Sequence, residues 1–248
     1  MRLLVFSDVH ANATALEAAL EACAGHWEKA ACLGDIVGYG PDPNEAVSRV
    51  RSEVTAVVRG NHDKAVAGAA DLEDFNPAAR AAIEWTRAQL LPENLAYLRN
   101  LPGGPLEAEG VALVHGAVED EDEYVFTPDR ALDGILASPR SITFFGHTHI
   151  QGGFSFDGES IVSIEPKLDD PQRNRSVLRL RPGTRYLLNP GSIGQPRDGD
   201  PRAAFAILDL REAKVEFWRT PYDISSVQER MERAGAREAL ILRLAFGR

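Results

Sequence analysis

Residues 2–35 read "RLLVFSDVHANATALEAALEACAGHWEKAACLGD", and the order of texture along this stretch decides the fold class. "RLLVF" (2–6) and "KAACL" (29–33) are short apolar runs without polar alternation, which predicts strands covered on both faces. Between them, "ATALEAALEACAG" (13–25) repeats its apolar residues at helical spacing and closes on Gly25, a helix stop. Each apolar run exits into ionisable residues: Asp8 and His10 after the first, Asp35 after the second. Strand, polar loop, helix, strand is the grammar of a parallel pair joined by a crossover, with ligand chemistry at the carboxyl ends of the strands.

Working outward, "PNEAVSRVRSE" (43–53) predicts a helix with proline in its first turn and "VTAVV" (54–58) a third strand. A helical stretch fills 70–100 and is divided by Pro92. The strands "VALVH" (111–115) and "SITFF" (141–145) flank a helix around 130–137. After residue 150 short strands follow at close spacing ("GGFSF", "SIVSI", "SVLRLRPGTRYLLN", "AAFAILDL", "KVEFWRT"), so this part is expected to be antiparallel. A helix over about 225–244 closes the chain. There is no internal repeat, low-complexity tract or Pro/Ser-rich linker, so one α/β domain over 1–248 with two sheets is expected.

Composition excludes several classes. With 44% apolar and 26% charged residues in 248, the chain can bury a core and is not a disordered segment. Acidic residues outnumber basic ones by 37 to 27, giving a net charge of −10, which argues against a nucleic-acid polymer as partner. No segment reaches the roughly 20 apolar residues of a membrane helix, and the N-terminal apolar stretch is too short for a signal peptide, so a cytoplasmic protein without a membrane partner is expected. Cys23 and Cys32 form no CxxC and read as buried small apolar residues. No P-loop and no GxGxxG after a strand points to a nucleotide cofactor.

Five of the six histidines, His10, His62, His115, His147 and His149, fall in "FSDVHAN", "VRGNHD", "VHG" and "FFGHTH", each at the exit of an expected strand; Asp35 does the same in "LGDIVGYG". Any one of these histidines alone would read as a hydrogen-bonded structural residue. Together they place carboxylates, imidazoles and an amide at one sheet edge without a thiolate, a donor set for borderline divalent metals. The candidates exceed one coordination sphere, so two ions are expected, separated by roughly 3.5–4 Å and able to bridge a hydroxide. Two carboxylates, two divalent cations and one hydroxide leave a formal local charge of about +1, which attracts a phosphate to an acidic protein.

The blocks "DVH" (8–10), "GD" (34–35), "GNHD" (60–63), "HG" (115–116) and "GHTH" (146–149) resemble, in order, those of the calcineurin-like metallophosphoesterase superfamily. The resemblance implies a four-layer α/β/β/α sandwich with two mixed sheets. It also implies one metal on Asp8, His10, Asp35 and His149, and a second on Asp35, Asn61, His115 and His147. Manganese leads the candidates, ahead of Fe, Zn, Ni and Co. His62 is then no ligand but the general acid at the leaving oxygen, with Asp63 orienting its ring by accepting a hydrogen bond.

No arginine follows the G-D block in "GDIVGYGPDPNE". That stretch and "NPGSIGQPR" (189–197) are similar to the small prokaryotic phosphodiesterase branch, so a diester is favoured over a monoester. A dinucleoside polyphosphate hydrolase and an inactive scaffold of the same fold are the alternatives. The expected partner is a small phosphorylated substrate, and a homo-oligomer stays open. Asn12 is either a substrate contact or the cap of the first helix. Arg59 and Arg197 are phosphate contacts or surface residues. The acidic run 119–123 reads as a solvated loop, and Tyr39 either flanks the substrate or packs a turn.

Overall fold

The polypeptide runs β1 (Arg2–Phe6), α1 (Ala13–Ala22), β2 (Lys29–Cys32), α2 (Pro43–Glu53), β3 (Ala56–Val57), then α3 (Asn61–Val66), α4 (Pro77–Gln89) and α5 (Pro92–Arg99). It continues through β4 (Leu106–Ala108), β5 (Val111–Leu113), α6 (Pro128–Ala137), β6 (Ile142–Phe144), β7 (Gly152–Phe156), β8 (Ile161–Ile164), β9 (Arg175–Arg179), β10 (Arg185–Asn189), β11 (Ala203–Asp209) and β12 (Lys214–Thr220). Helices α7 (Ile224–Arg233) and α8 (Glu238–Leu242) and a 3-10 turn (Arg243–Phe246) follow. The structure is a computed structural model that describes residues 1–73, 75–168 and 174–248.

Two six-stranded mixed sheets form, one in the order β3-β2-β1-β11-β12-β9 and the other β4-β5-β6-β10-β7-β8. In the first, β1, β2 and β3 are parallel and β11, β12 and β9 antiparallel; in the second, β5, β6 and β10 are parallel. The change of texture after residue 150 is therefore not a sheet boundary. β10 joins the second sheet parallel to β6, while β9, β11 and β12 complete the first.

Strand periodicity explains the layers. In β1, Leu3 and Val5 enter a core shared with Leu113, Phe144 and Leu188 of the other sheet, whereas Leu4 and Phe6 face Leu16 and Leu20 of α1 and Val47 of α2. In β10, Leu188 joins the inter-sheet core and Leu187 packs with Ala131 and Ile135 of α6. Three apolar layers thus separate four layers of secondary structure, the α/β/β/α sandwich. Each fully buried Leu or Phe contributes about 1.5–3 kcal/mol by leaving water.

Four local readings change. The "GNHD" block is not a plain turn: Asn61 begins α3. β4 pairs antiparallel with β5 although no alternation announced it. α1 stops at Ala22, with Gly25 at φ 76° in the turn beyond. The closing helix breaks in two where Gly235 takes φ 75°, a conformation that an interior helical residue cannot hold. Cys23 and Cys32 are free and buried, and burial pushes the Cys23 thiol up to about 11. Among the described residues no helix is long and apolar enough to cross a membrane.

Candidate metal centre

The loops leaving β1, β2, β5 and β6, with the start of α3, meet at one end of the sheets. The backbone ladder of β1 and β2 continues past the strands, with Asp8 N on Gly34 O (3.0 Å) and His10 N on Asp35 O (2.9 Å). Five candidate ligands then adopt the left-handed backbone: Asp8 (φ 53°), His10 (47°), Asp35 (50°), His147 (65°) and His149 (60°). Non-glycine residues pay on the order of 1–3 kcal/mol each for this conformation, and it persists because the surrounding loops over-determine it. It also breaks strand alternation, so His147 and His149, two residues apart, turn to different parts of the cluster.

Asp8, His10, Asp35 and His149 present ligand atoms all within 4.8 Å of one another, and so do Asp35, His115 and His147. Asp35 is common to both: its Oδ2 lies 3.6 Å from His10 Nε2 and 3.5 Å from His115 Nε2, while its Oδ1 accepts from His62 N at 2.8 Å. The carboxamide oxygen of Asn61 stands 3.2 Å from His115 Nε2, completing the second group. Two glycines make room for the carboxylates. A Cβ on Gly60 would fall 2.1 Å from Asp35 Oδ1, and one on Gly146 would fall 2.9 Å from Asp8 Oδ2.

The imidazoles are set by backbone carbonyls. His10 Nδ1 is 3.2 Å from Val37 O, His115 Nδ1 2.8 Å from Leu33 O, His149 Nδ1 2.6 Å from Gln195 O and His147 Nε2 3.2 Å from Asp122 O. A carbonyl only accepts, so each of these nitrogens carries a proton, and in a neutral ring the opposite nitrogen turns a lone pair inward. Two such nitrogens meet at 3.1 Å between His10 and His149, while His115 Nε2, 3.1 Å from His147 Nδ1, sits where the Asp35 and Asp8 charges favour a second proton that a cation would replace. Asp8 Oδ1, buried and without a hydrogen-bond partner, lies 3.2 Å from His149 Nε2. Acceptors facing acceptors in a buried cluster repel unless a cation stands among them, so the donor set fits divalent metal.

The electrostatics favour the neutral form for two of the imidazoles and the charged form for a third. Burial holds His10 well below the ordinary imidazole range, and burial with the neighbouring His115 takes His147 down to about 3, both uncharged as ligands must be. Burial would also lower His115, but the charges of Asp35 and Asp8 push it up to about 10. The carboxylates thus draw positive charge into the cluster.

His62 is brought to the same place but is held differently from the expectation. Asp63 does not orient it: Oδ2 accepts from Gly60 N (3.0 Å) and Oδ1 from Val37 N (3.2 Å), so this carboxylate caps α3 and ties it to the β2 loop. The His62 ring is instead boxed by the rings of Tyr39 (4.6 Å), His10 (4.9 Å) and Phe75 (5.4 Å), with Nδ1 buried and without a hydrogen-bond partner. Burial takes it down to about 4.

Both expected substrate contacts are engaged elsewhere. Asn12 accepts from Ala15 N as the cap of α1 and donates to Gly194 O. Arg59 holds Glu121 through Nε and Nη2, so the acidic run 119–123 pairs with cations rather than merely facing solvent; Lys64 binds Asp122 at 2.6 Å.

Sequence reasoning missed the residues that support the imidazoles. Asn189 donates to Gly146 O (2.9 Å) and Thr148 Oγ1 (3.0 Å), holding the "GHTH" turn, and Ser192 Oγ binds Asp8 O at 2.8 Å. Both lie in "NPGSIGQPR", the one stretch whose sequence could have given them away. Tyr124, 44% exposed, stacks on His147 at 3.8 Å and had no sequence signal. A cavity of about 300 Å³ opens beside the cluster, walled by Tyr39, Asn61, His62, Phe75, Tyr124 and His147 among others.

The sequence pattern of the calcineurin-like phosphoesterase superfamily domain matches residues 1–213. An uncharacterized protein of Methanocaldococcus jannaschii is 35% identical over 252 residues, covering 99% of this chain and 98% of its own. Among solved structures, a metallophosphoesterase from Sphaerobacter thermophilus superposes with a TM-score of 0.85 at 39% identity, over 100% of this chain and 99% of its own. A hypothetical protein from Pyrococcus horikoshii OT3 shares the fold, with a TM-score of 0.77 at 21% identity over 100% and 98% of the two chains.

Proposed function

The chain belongs to the calcineurin-like phosphoesterase superfamily, and from that premise we propose that it hydrolyses phosphodiesters with two divalent ions, manganese foremost. Asp8, His10, Asp35 and His149 would hold one ion and Asp35, Asn61, His115 and His147 the other. The observation that carries the reading is the set of four imidazoles, each fixed by a backbone carbonyl, with their opposite nitrogens converging around Asp35. When bound, such a pair of ions supplies a nucleophile at neutral pH and neutralises phosphoryl oxygens.

The chain's own groups do the rest. The left-handed loops fix the spacing of the donors, and the carbonyls fix their tautomers. His62 projects between the ligand groups and the cavity, and once protonated beside the negative charge of a bound phosphate, against the burial that favours its neutral form, it would pass that proton to the leaving oxygen. The aromatic walls of the cavity favour a diester, because a diester carries a second organic group past the phosphorus and this space accommodates one.

Metal analysis and a substrate panel test the proposal. Two ions per chain, and a higher kcat/KM on bis-p-nitrophenyl phosphate than on p-nitrophenyl phosphate with Mn²⁺, are expected. Metal binding without turnover under Mn, Fe, Co, Ni or Zn would leave a scaffold in place of an enzyme. Diadenosine tetraphosphate cleaved much faster than either ester would replace the diester assignment.

A further inference from the structure

Of the five histidines at the sheet edge, His62 alone has a ring without a hydrogen bond among the described residues. Backbone carbonyls steer the four ligand imidazoles, so this one must be steered by packing. The stretch "VGYG" (37–40) supplies much of that packing. Gly38 takes φ 94° and lies close against the imidazole, where a Cβ on it would fall 2.5 Å from His62 Nδ1. Tyr39 follows, with its ring 4.6 Å from that of His62 at 51° and 4.8 Å from that of His10 at 64°. Phe75 adds a third contact at 5.4 Å and 79°.

The backbone of Tyr39 is costly. Gly40 N donates to Gly38 O at 2.7 Å, which closes a three-residue turn with Tyr39 at its centre and φ 60°. Turns of this kind with a positive central φ are rare and strained. The candidate ligand His147 is set by the same device, at φ 65° with Thr148 N on Gly146 O at 2.7 Å. Such strain persists only where the surroundings over-determine it, and it gathers at functional sites. Around Tyr39 those surroundings are the bond from Gly40 N to His10 O (2.9 Å) and the apolar cluster of Val227, Met231, Leu240 and Leu244, against which the tyrosine packs. The closing helices thus back a ring that touches both histidines and walls the cavity. Its hydroxyl makes no hydrogen bond among the described residues, so the ring is the part that acts.

We propose that Tyr39 is the positioning residue of His62, its ring held by the strained turn so that it aims the imidazole by contact where no carbonyl or carboxylate does so. The inference rests on the phosphoesterase reading in which His62 is the proton donor. A misaimed donor costs rate only where a proton is needed, so the loss must depend on the leaving group. A p-nitrophenolate departs readily as the anion, whereas a phenolate gains from protonation.

The test compares diphenyl phosphate with bis-p-nitrophenyl phosphate, two diesters of similar shape, as substrates of the Mn²⁺-loaded full chain. Tyr39→Leu is expected to lower kcat at least about tenfold on the first and less than about threefold on the second, with KM and metal content near those of the parent. Tyr39→Phe, which keeps the ring, should restore the rate to within about threefold. In a His62→Asn background, Tyr39→Leu should cost less than about twofold more, because the group it aims is gone. A readout apart from turnover is ¹³C relaxation of the His62 ring in the Zn²⁺-loaded chain. An order parameter of about 0.85 is expected in the parent and in Tyr39→Phe, and below about 0.6 in Tyr39→Leu. The ring of His10, which meets the same tyrosine but is tied to Val37 O, should stay rigid throughout. Circular dichroism checks folding, and Tyr39→Met takes the place of Tyr39→Leu if the latter does not fold. Equal losses on both esters, losses that add in the double variant, or a His62 ring as rigid in Tyr39→Leu as in the parent would overturn the assignment. If the parent turns over neither ester but Tyr39→Leu alone frees the ring, the hydrolase reading fails and the positioning role stands.

Discussion

The two ligand groups share Asp35 yet differ in surroundings. Asp8, His10 and His149 are sealed, with the 192–197 loop packed behind them and Tyr39 and Leu244 in front. Asn61 and His147 line the cavity, and the cover on His147 is the exposed ring of Tyr124. The first group is built like core and the second like a binding surface. On the proposed two-ion reading, holding an ion and presenting one to substrate would fall to different loops, with Asp35 common to both groups.

The most severe way to break this comparison is Asp35→Ala, which should empty both groups and bring turnover to background; two ions retained in metal analysis would contradict a shared ligand. His62→Asn belongs to neither group and should leave metal content unchanged while kcat falls by about 10²- to 10⁴-fold. Equal loss of metal would show that His62 supports the ligands instead. Asn189→Ala loosens the "GHTH" turn that serves both groups, and a loss of about 10- to 100-fold in metal affinity is expected by analogy with other residues that support ligands from behind. Loss confined to one ion would mean that the turn is not shared. The finest distinction is Tyr124→Ala. Removing a stacked ring worth about 0.5–1.5 kcal/mol should weaken the second ion several-fold and leave the first untouched, read by competition with a chelator. Parallel weakening of both ions would erase the asymmetry.

Much of this was legible before any coordinates. Apolar runs exiting into Asp and His located the sheet edge, because strand periodicity and strand ends are local properties. The seven candidate ligands stood out in the sequence because their side chains are rare and clustered, and the structure brings them to one end of the sheets. The support was not legible: Leu33, Val37, Asp122 and Gln195 act through their carbonyls, which carry no residue signature, and Gln195 lies 46 residues from the histidine it holds. Asn12 read equally as a substrate contact or a helix cap, and the cap is formed; Asp63 was expected to orient the His62 ring, and the amides of Gly60 and Val37 claim its carboxylate instead. β4 is a three-residue edge strand defined only by its neighbour, and Gly235 broke a helix whose apolar spacing read as continuous.

The bond from His149 to Gln195 O has a consequence beyond tautomer choice. Two residues later the same short loop carries Arg197, whose amide returns to His149 O, and further on it clasps Gly247. If an ion binds at His149, any coupling between its occupancy and the seating of the 243–246 turn through this loop must be reciprocal. A change that seats the turn more firmly would then raise the affinity for the ion by the same factor. Trimming or tagging that end would then be expected to register as a change in metal affinity some 100 residues away in sequence, at His149.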